Sequence, residues 1–212
     1  MFQLLNKCER NQHLTEPHLY SKTKNMSNII QMLQRIAPLS QEDCKRFMEI
    51  TTTSKLNKGD YWIESGKMAN NVSFLEEGYL RKFYLKDGNE VTDFFYFKND
   101  FCADLPSIFG HSLPHASIVA MEETTLTEFA YNDFNELCKT APALEHLNRI
   151  IAQFTFLRFH NRTVSFIFKT PQERYEDLLV SEPKVLQNVA QNHIASYIGI
   201  SVEYLTSLRK GN

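Results

Sequence analysis

Two groups of polar side chains in this sequence have the types and the spacing to do chemistry. The first closes the chain, where HIASYIGISVEYLTSLRKGN runs from His193 to Asn212. Gln191, Asn192 and His193 open one helical pattern, and their side chains, with the free N–H groups of a helix start, suit phosphate oxygens. In the next pattern Ser201, Val202, Glu203, Thr206, Ser207, Arg209 and Lys210 are not needed on an apolar inner face. Glu203 can accept from a cytosine amino group and Val202 can touch a thymine methyl, while the Thr206 and Ser207 hydroxyls reach a base or a phosphate. The two cations lie nearer a nucleic-acid backbone. The second group is Asp104, His111 and His115, oxygen and nitrogen donors of the kind a metal takes. No His-x-His pair accompanies them, and loose histidines in loops are more often solvated, so no metal site is expected. No nucleophile beside a base and no paired carboxylates stand at convincing spacing, so the chain is not expected to be an enzyme.

The elements that would hold the first group are legible. Ile194, Ala195 and Ile198 form the inner face of one helix, Gly199 turns the chain, and Ile200, Leu205 and Leu208 bury a second helix with Ser201 as its N-cap. A small residue four before the glycine, with aliphatics after it at Leu205 and Leu208, is helix-turn-helix spacing, in which the second helix enters the DNA major groove. Charge is less favourable. Over residues 169–212 five basic side chains meet five acidic ones, so the predicted DNA affinity is weak unless a dimer doubles the contacts.

Upstream, residues 1–25 are polar and aperiodic and are expected to be a disordered extension, with translation starting at Met26. Ser27 should cap a helix carrying Ile29, Ile30, Leu33 and Ile36 on one face, and Ser40 with Asp43 resembles a capping box for a second helix to about Ile50. From Thr51 to Tyr131 short aromatic and β-branched runs alternate with turn residues, and Lys86-Asp87-Gly88-Asn89 is a strong hairpin signal. That texture predicts a small antiparallel barrel or jelly roll. Asn132 or Asp133 should cap a helix through Cys138. From Pro142 to Lys169, Leu144, Leu147, Ile151, Phe154, Arg158 and Asn161 follow helical spacing over nearly thirty residues, a length that favours pairing with a partner helix over burial against the chain's own barrel. Pro171 breaks this pattern and marks a domain boundary at residue 170. A further helix from Pro171 to about Val180 leads to the tail.

The fold class is therefore α+β in four parts: 1–25, a β-roll domain with N-terminal helices over 26–141, a long dimerisation helix over 142–169, and a small DNA-binding domain over 170–212. A hydrophobic share of 42%, a net charge of −2, no run of eighteen apolar residues and no secretory signal predict a cytoplasmic protein with no membrane contact. Cys8, Cys44, Cys102 and Cys138 are scattered, which argues for buried free thiols rather than disulfides or a zinc site.

Taken in order, the β domain, long helix and helix-turn-helix resemble the Crp/Fnr family of bacterial transcription regulators, over Met26 to Asn212. Lys58-Gly59-Asp60, Glu64-Ser65-Gly66, Phe74-Leu75-Glu76-Glu77-Gly78 and Asp87-Gly88 look like the family's β-roll landmarks, and Gln172-Glu173-Arg174-Tyr175 with Ile194 to Ile200 is similar to its Bacteroidetes-type branch. The resemblance implies a homodimer, DNA and RNA polymerase as partners, and an effector pocket in the roll. There a Gly-Glu-Leu segment and a later Arg-Ser hold a cyclic nucleotide through backbone N–H groups, a guanidinium and a carboxylate. In this sequence the matching stretches read Ala103-Asp104-Leu105 and Pro114-His115, with Ala116 next. A histidine replaces a fixed bidentate cation poorly, so cyclic AMP is not expected to bind in the usual way, and the effector is unnamed. In the second tail helix Ser207 stands where the family usually has an arginine, which predicts an altered site preference. The competing expectation is a ligand-binding or interaction module that has lost DNA binding.

Overall fold

The computed structural model describes residues 27–210. The expected extension over 1–25 and the start at Met26 lie outside the described residues. The first helix, α1 (Asn28–Ile36), buries Ile29, Ile30, Met32 and Leu33. Ser27 precedes it in extended backbone, but its hydroxyl donates to the Met48 sulfur instead of capping the helix. Helix α2 (Gln41–Glu49) opens with the expected box: the Asp43 N–H donates to Ser40 Oγ at 3.0 Å, and the Ser40 N–H donates to Asp43 Oδ2 at 3.3 Å.

Eight strands follow: β1 (Thr52–Leu56), β2 (Tyr61–Ile63), β3 (Asn71–Glu77), β4 (Tyr79–Lys86), β5 (Asn89–Phe97), β6 (Phe101–Ala103), β7 (Ala116–Ala120) and β8 (Thr124–Ala130). They form two four-stranded antiparallel sheets, ordered β1-β8-β3-β6 and β2-β7-β4-β5. The pleat sends neighbouring side chains to opposite faces. Leu75, Leu80, Phe94, Tyr96, Ile118 and Leu126 thus meet in one core between the sheets. Phe74 and Phe129 point the other way, into a second core with α1, α2 and the helices after the roll. The β4–β5 turn is the expected hairpin, with Lys86 paired to Asn89 and positive φ at Asp87 and Gly88. Between β3 and β4, Gly78 has φ +84° and lies so close to Glu123 and Thr124 that a Cβ would sit 2.5–2.8 Å from their atoms.

The helices after β6 are α3 (Leu105–Gly110), α4 (Tyr131–Cys138), α5 (Pro142–Phe168), α6 (Pro171–Ser181), α7 (Pro183–Asn188), α8 (Gln191–Ile198) and α9 (Val202–Lys210). Helix α4 is capped two residues before the earlier of the expected caps: Ala130 holds the cap position, and neither Asn132 nor Asp133 does. Helix α5 is the long helix, 27 residues from Pro142. Its apolar residues do not make a single outward stripe. Leu144 and Leu147 are buried and Ile151 packs with them in the second core, so burial against the chain's own roll describes the first half. The second half leaves Leu157 44% and Phe168 78% exposed. Helix α6 starts from a capping box of Thr170 and Glu173. Cys102 and Cys138 are buried and free, Cys44 is free and half-buried, and Cys8 lies outside the described residues.

A third core joins the tail to the roll. Tyr175, Leu178, Val185, Ile194, Ala195, Tyr197, Ile198 and Leu205 pack with Tyr79 and Phe95, on the outer face of the second sheet.

Candidate functional site

Helices α8 and α9 are separated by Gly199, Ile200 and Ser201. Gly199 ends α8 in the left-handed region, φ +74°, and its carbonyl-side neighbour continues the turn with the Ile200 N–H donating to Ala195 O at 3.0 Å. The Tyr204 N–H donates to Ser201 Oγ at 3.2 Å, so Ser201 caps α9 as expected. Leu205 is fully buried, and Ile200 and Leu208 pack beside it. Of the candidate DNA-contacting residues, Gln191, Asn192, Ser201, Val202, Glu203, Ser207 and Lys210 are exposed, and His193, Thr206 and Arg209 are half-buried. The Thr206 and Ser207 hydroxyls donate back to Val202 O and Tyr204 O, which leaves them to act outward only as acceptors.

Gly199 is also a contact point. A Cβ there would come within 2.9 Å of the Phe166 ring near the end of α5. That ring is covered by two guanidiniums, Arg162 at 4.9 Å and Arg174 at 4.7 Å from its centroid. Arg174 further donates to Ile198 O at 2.8 Å and Lys169 O at 2.8 Å, and Arg162 donates to Tyr197 O at 3.1 Å. The turn between the tail helices is thus pinned to the end of the long helix by two arginines.

Helix α8 also docks on β5. The Thr92 N–H donates to Ser196 Oγ at 2.9 Å, Ser196 Oγ donates to Glu90 O at 3.3 Å, and the Tyr79 hydroxyl donates to Asn188 O at 3.1 Å. His193 lies against this junction, where burial first and the neighbouring Arg81 second hold its imidazole below the usual value, with Glu90 opposing.

The candidate effector residues are not gathered in one hollow. Asp104 is 2% exposed: its carboxylate caps α3 by accepting from Ser107 N–H at 3.2 Å and Ser107 Oγ at 2.7 Å, and it faces Lys82 Nζ at 3.4 Å. Lys82 is itself only 3% exposed and lies 3.9 Å from Asp93. His115 is exposed, with its carbonyl accepting from Ser65 Oγ, and Ala116 is buried at the start of β7. His111 is exposed in a left-handed cap after α3. Asp104 therefore faces its own lysine rather than the histidines, and among the described residues no group of three or more metal-type ligands comes together.

The residues that sequence reading passed over line a different space. A cavity of about 260 Å³ opens between the two sheets' edges, α3, α4 and α5, with Leu33 of α1 and Phe47 of α2 closing one side. Ala103 and Leu105 from the candidate segment lie on its wall, with aromatic rings from Phe94, Phe101, Phe129 and Phe159. Phe156, 68% exposed, and Phe109 stand at its rim. Arg158 is the one charged residue on its lining, 4.4 Å over the Phe94 ring. Its guanidinium lies 3.7 Å from Asp100 and 3.8 Å from Glu182, which belongs to the tail. Sixteen phenylalanines and consecutive Arg81-Lys82 inside an aromatic strand were the available signals.

Residues 53–141 match the family model of the cyclic nucleotide-binding domain, and this is the class that the roll and its capped α3 define. Among solved structures the chain is similar to the c-di-GMP responsive global regulator CLP of Xanthomonas campestris, with 14% identity, a TM-score of 0.64, and 81% of this chain and 91% of that chain covered. It is likewise similar to CooA of Carboxydothermus hydrogenoformans, with 17% identity, a TM-score of 0.63, and 78% and 77% covered. A third, from Eubacterium rectale and assigned to the Crp/Fnr family of transcriptional regulators, shows 18% identity, a TM-score of 0.62, and 81% and 82% covered. The chain thus has the fold of the Crp/Fnr regulators, roll and following long helix together. No curated protein sequence matches it. No helix among the described residues is long and apolar enough to cross a membrane.

Proposed function

We propose that this chain is a homodimeric, cytoplasmic, DNA-binding transcription regulator of the Crp/Fnr type, with an effector-sensing roll and no catalytic activity. The observation that carries the reading is the tail helix pair: α9 is anchored from behind by Leu205 while the residues at its start, Ser201, Val202 and Glu203, stand in solvent. That is the presentation a recognition helix needs in a major groove. Glu203 there has its carboxyl held below the usual range by the backbone N–H and Ser201 hydroxyl it accepts from, so it stays an acceptor for a cytosine amino group. RNA polymerase is the further partner a promoter-bound regulator would meet.

The second half of α5 supports self-association. Phe154, Leu157, Asn161, Val164 and Phe168 recur at alternating three and four residue spacing, the seam of a two-stranded coiled coil, with one polar residue inside it. The domain division at residue 170 and the role of α5 as the link between sensor and reader belong to the same proposal.

Cyclic AMP does not fit this roll in the usual way. Lys82 and Ser107 occupy the Asp104 carboxylate that would meet a ribose hydroxyl, and the position of the anchoring arginine has no buried cation. Calorimetric titration with cyclic AMP should therefore show no micromolar binding.

Fluorescence anisotropy with random duplex DNA at two salt concentrations tests the main reading. Binding should weaken steeply with salt, and Arg209→Ala with Lys210→Ala should lower the salt slope by about 2. Absence of salt-dependent binding would instead favour a ligand-binding module without DNA recognition, a reading supported by the charge balance of residues 169–212 and the back-bonded hydroxyls of α9.

A further inference from the structure

The cavity beside α5 has the chemistry of a site for one kind of molecule. Its wall is mostly hydrocarbon and aromatic, and its other polar side chains are neutral: Asn148, Tyr96, Tyr131, and Thr155, whose hydroxyl donates to Ile151 O at 2.9 Å. Arg158 is different. Both of its carboxylate neighbours lie beyond hydrogen-bond length, at 3.7 and 3.8 Å, and among the described residues its guanidinium makes no shorter polar contact. Arg162, one turn on, donates to Thr92 O and Tyr197 O. A half-buried fork with open donors at the end of an apolar hollow is complementary to an apolar molecule with one carboxylate.

The geometry points to this cavity as an effector site for a monocarboxylate with an alkyl or aryl body, whose carboxylate takes Arg158 from Glu182 and so weakens the hold of α5 on the tail. Size follows from volume: a dry cavity of about 150 Å³ holds benzene, so roughly 260 Å³ holds about ten to twelve non-hydrogen atoms. Medium-chain and arylalkanoic acids have that size. Phenylalanine edges and faces on the wall suit an aryl body. Coupling follows from Glu182, which sits between α6 and α7: burial pushes its carboxyl upward and Arg158 is the main group pulling it back. An acid that bonds Arg158 leaves the half-buried Glu182 carboxylate with less compensating charge, among the described residues only the weaker pull of Arg162, which favours a rearranged tail. The coupling half rests on the regulator reading above; the site itself does not.

Calorimetry on the full chain with 3-phenylpropanoate and with its neutral counterpart 3-phenylpropan-1-ol tests the site. The acid should bind at least roughly tenfold more tightly than the alcohol, because a charge-assisted pair is worth that much. Arg158→Gln should bring the acid down to the affinity of the alcohol and leave the alcohol unchanged. Ala152→Trp, at an exposed position of α5 that borders the cavity, should abolish binding of both without touching Arg158 and serves if Arg158→Gln fails to fold. Equal affinities for acid and alcohol, or full binding by the Ala152→Trp protein, would overturn the proposal. In the anisotropy assay the acid should shift duplex affinity severalfold in the wild type, and Glu182→Gln should remove that shift. Acid binding with these signatures but no DNA binding at any salt supports the site and sinks the regulator reading. DNA binding without acid binding sinks the site alone.

Discussion

At the scale of single residues, the positions that matter most are those whose backbone or charge admits no substitute. Gly78 combines positive φ with contacts that leave no room for a methyl group, whereas Gly88 has positive φ in open space. Gly78→Ala should therefore destabilise by at least about 2 kcal/mol in urea melts, and Gly88→Ala by about 1 kcal/mol. His193 makes a second prediction. The docked tail lowers its pKa, so its contribution to docking is fully present above about pH 6.5 and fades as pH falls through the lowered value. Acidification protonates the imidazole, loosens docking against Arg81 and Glu90, and supplies a cation to phosphate. DNA affinity should rise from about pH 7.5 to 5.5, and His193→Asn should flatten that rise. The Ser40 and Ser201 caps were readable from sequence because capping is local. The roles of Asp104 and Lys82 were not, since their pairing joins β4 to the turn before α3 across the roll.

At the scale of elements, the long helix shows what periodicity can and cannot say. Its length and its start at Pro142 follow directly from the sequence. Which stripe faces where does not, because α5 is apolar on more than one side: Leu144 and Leu147 serve the roll, Phe156 and Phe159 serve the cavity, and Leu157 and Phe168 remain outside. A helix with three apolar clients leaves no single moment to read. The strands were legible as a roll through their turn residues, yet the order β2-β7-β4-β5 depends on which edges meet, and local pattern is silent on that. Leu157→Asp tests the outward seam: sedimentation should report a monomer, and duplex affinity should fall at least about tenfold through loss of the second reading head.

At the scale of the whole molecule, the roll and the tail share a core rather than a tether, with Tyr79 and Phe95 of the roll inside the cluster that stabilises the tail. No composition shift announces this docking, because each partner alone looks like an ordinary amphipathic element. Ser196→Ala should speed hydrogen exchange at the Thr92 amide, which donates to the Ser196 hydroxyl, while amides of β4 stay protected. Effector binding should have the same effect if it moves the tail.

The position of β5 carries one more consequence. It is the last strand of its sheet, nine residues long, and α8 supplies partners to its outward backbone through Ser196. Lifting the tail uncovers a strand whose N–H and C=O groups can template pairing with another chain. The released form is then an aggregation hazard, and light scattering should detect it first in variants whose tail undocks, such as Ser196→Ala.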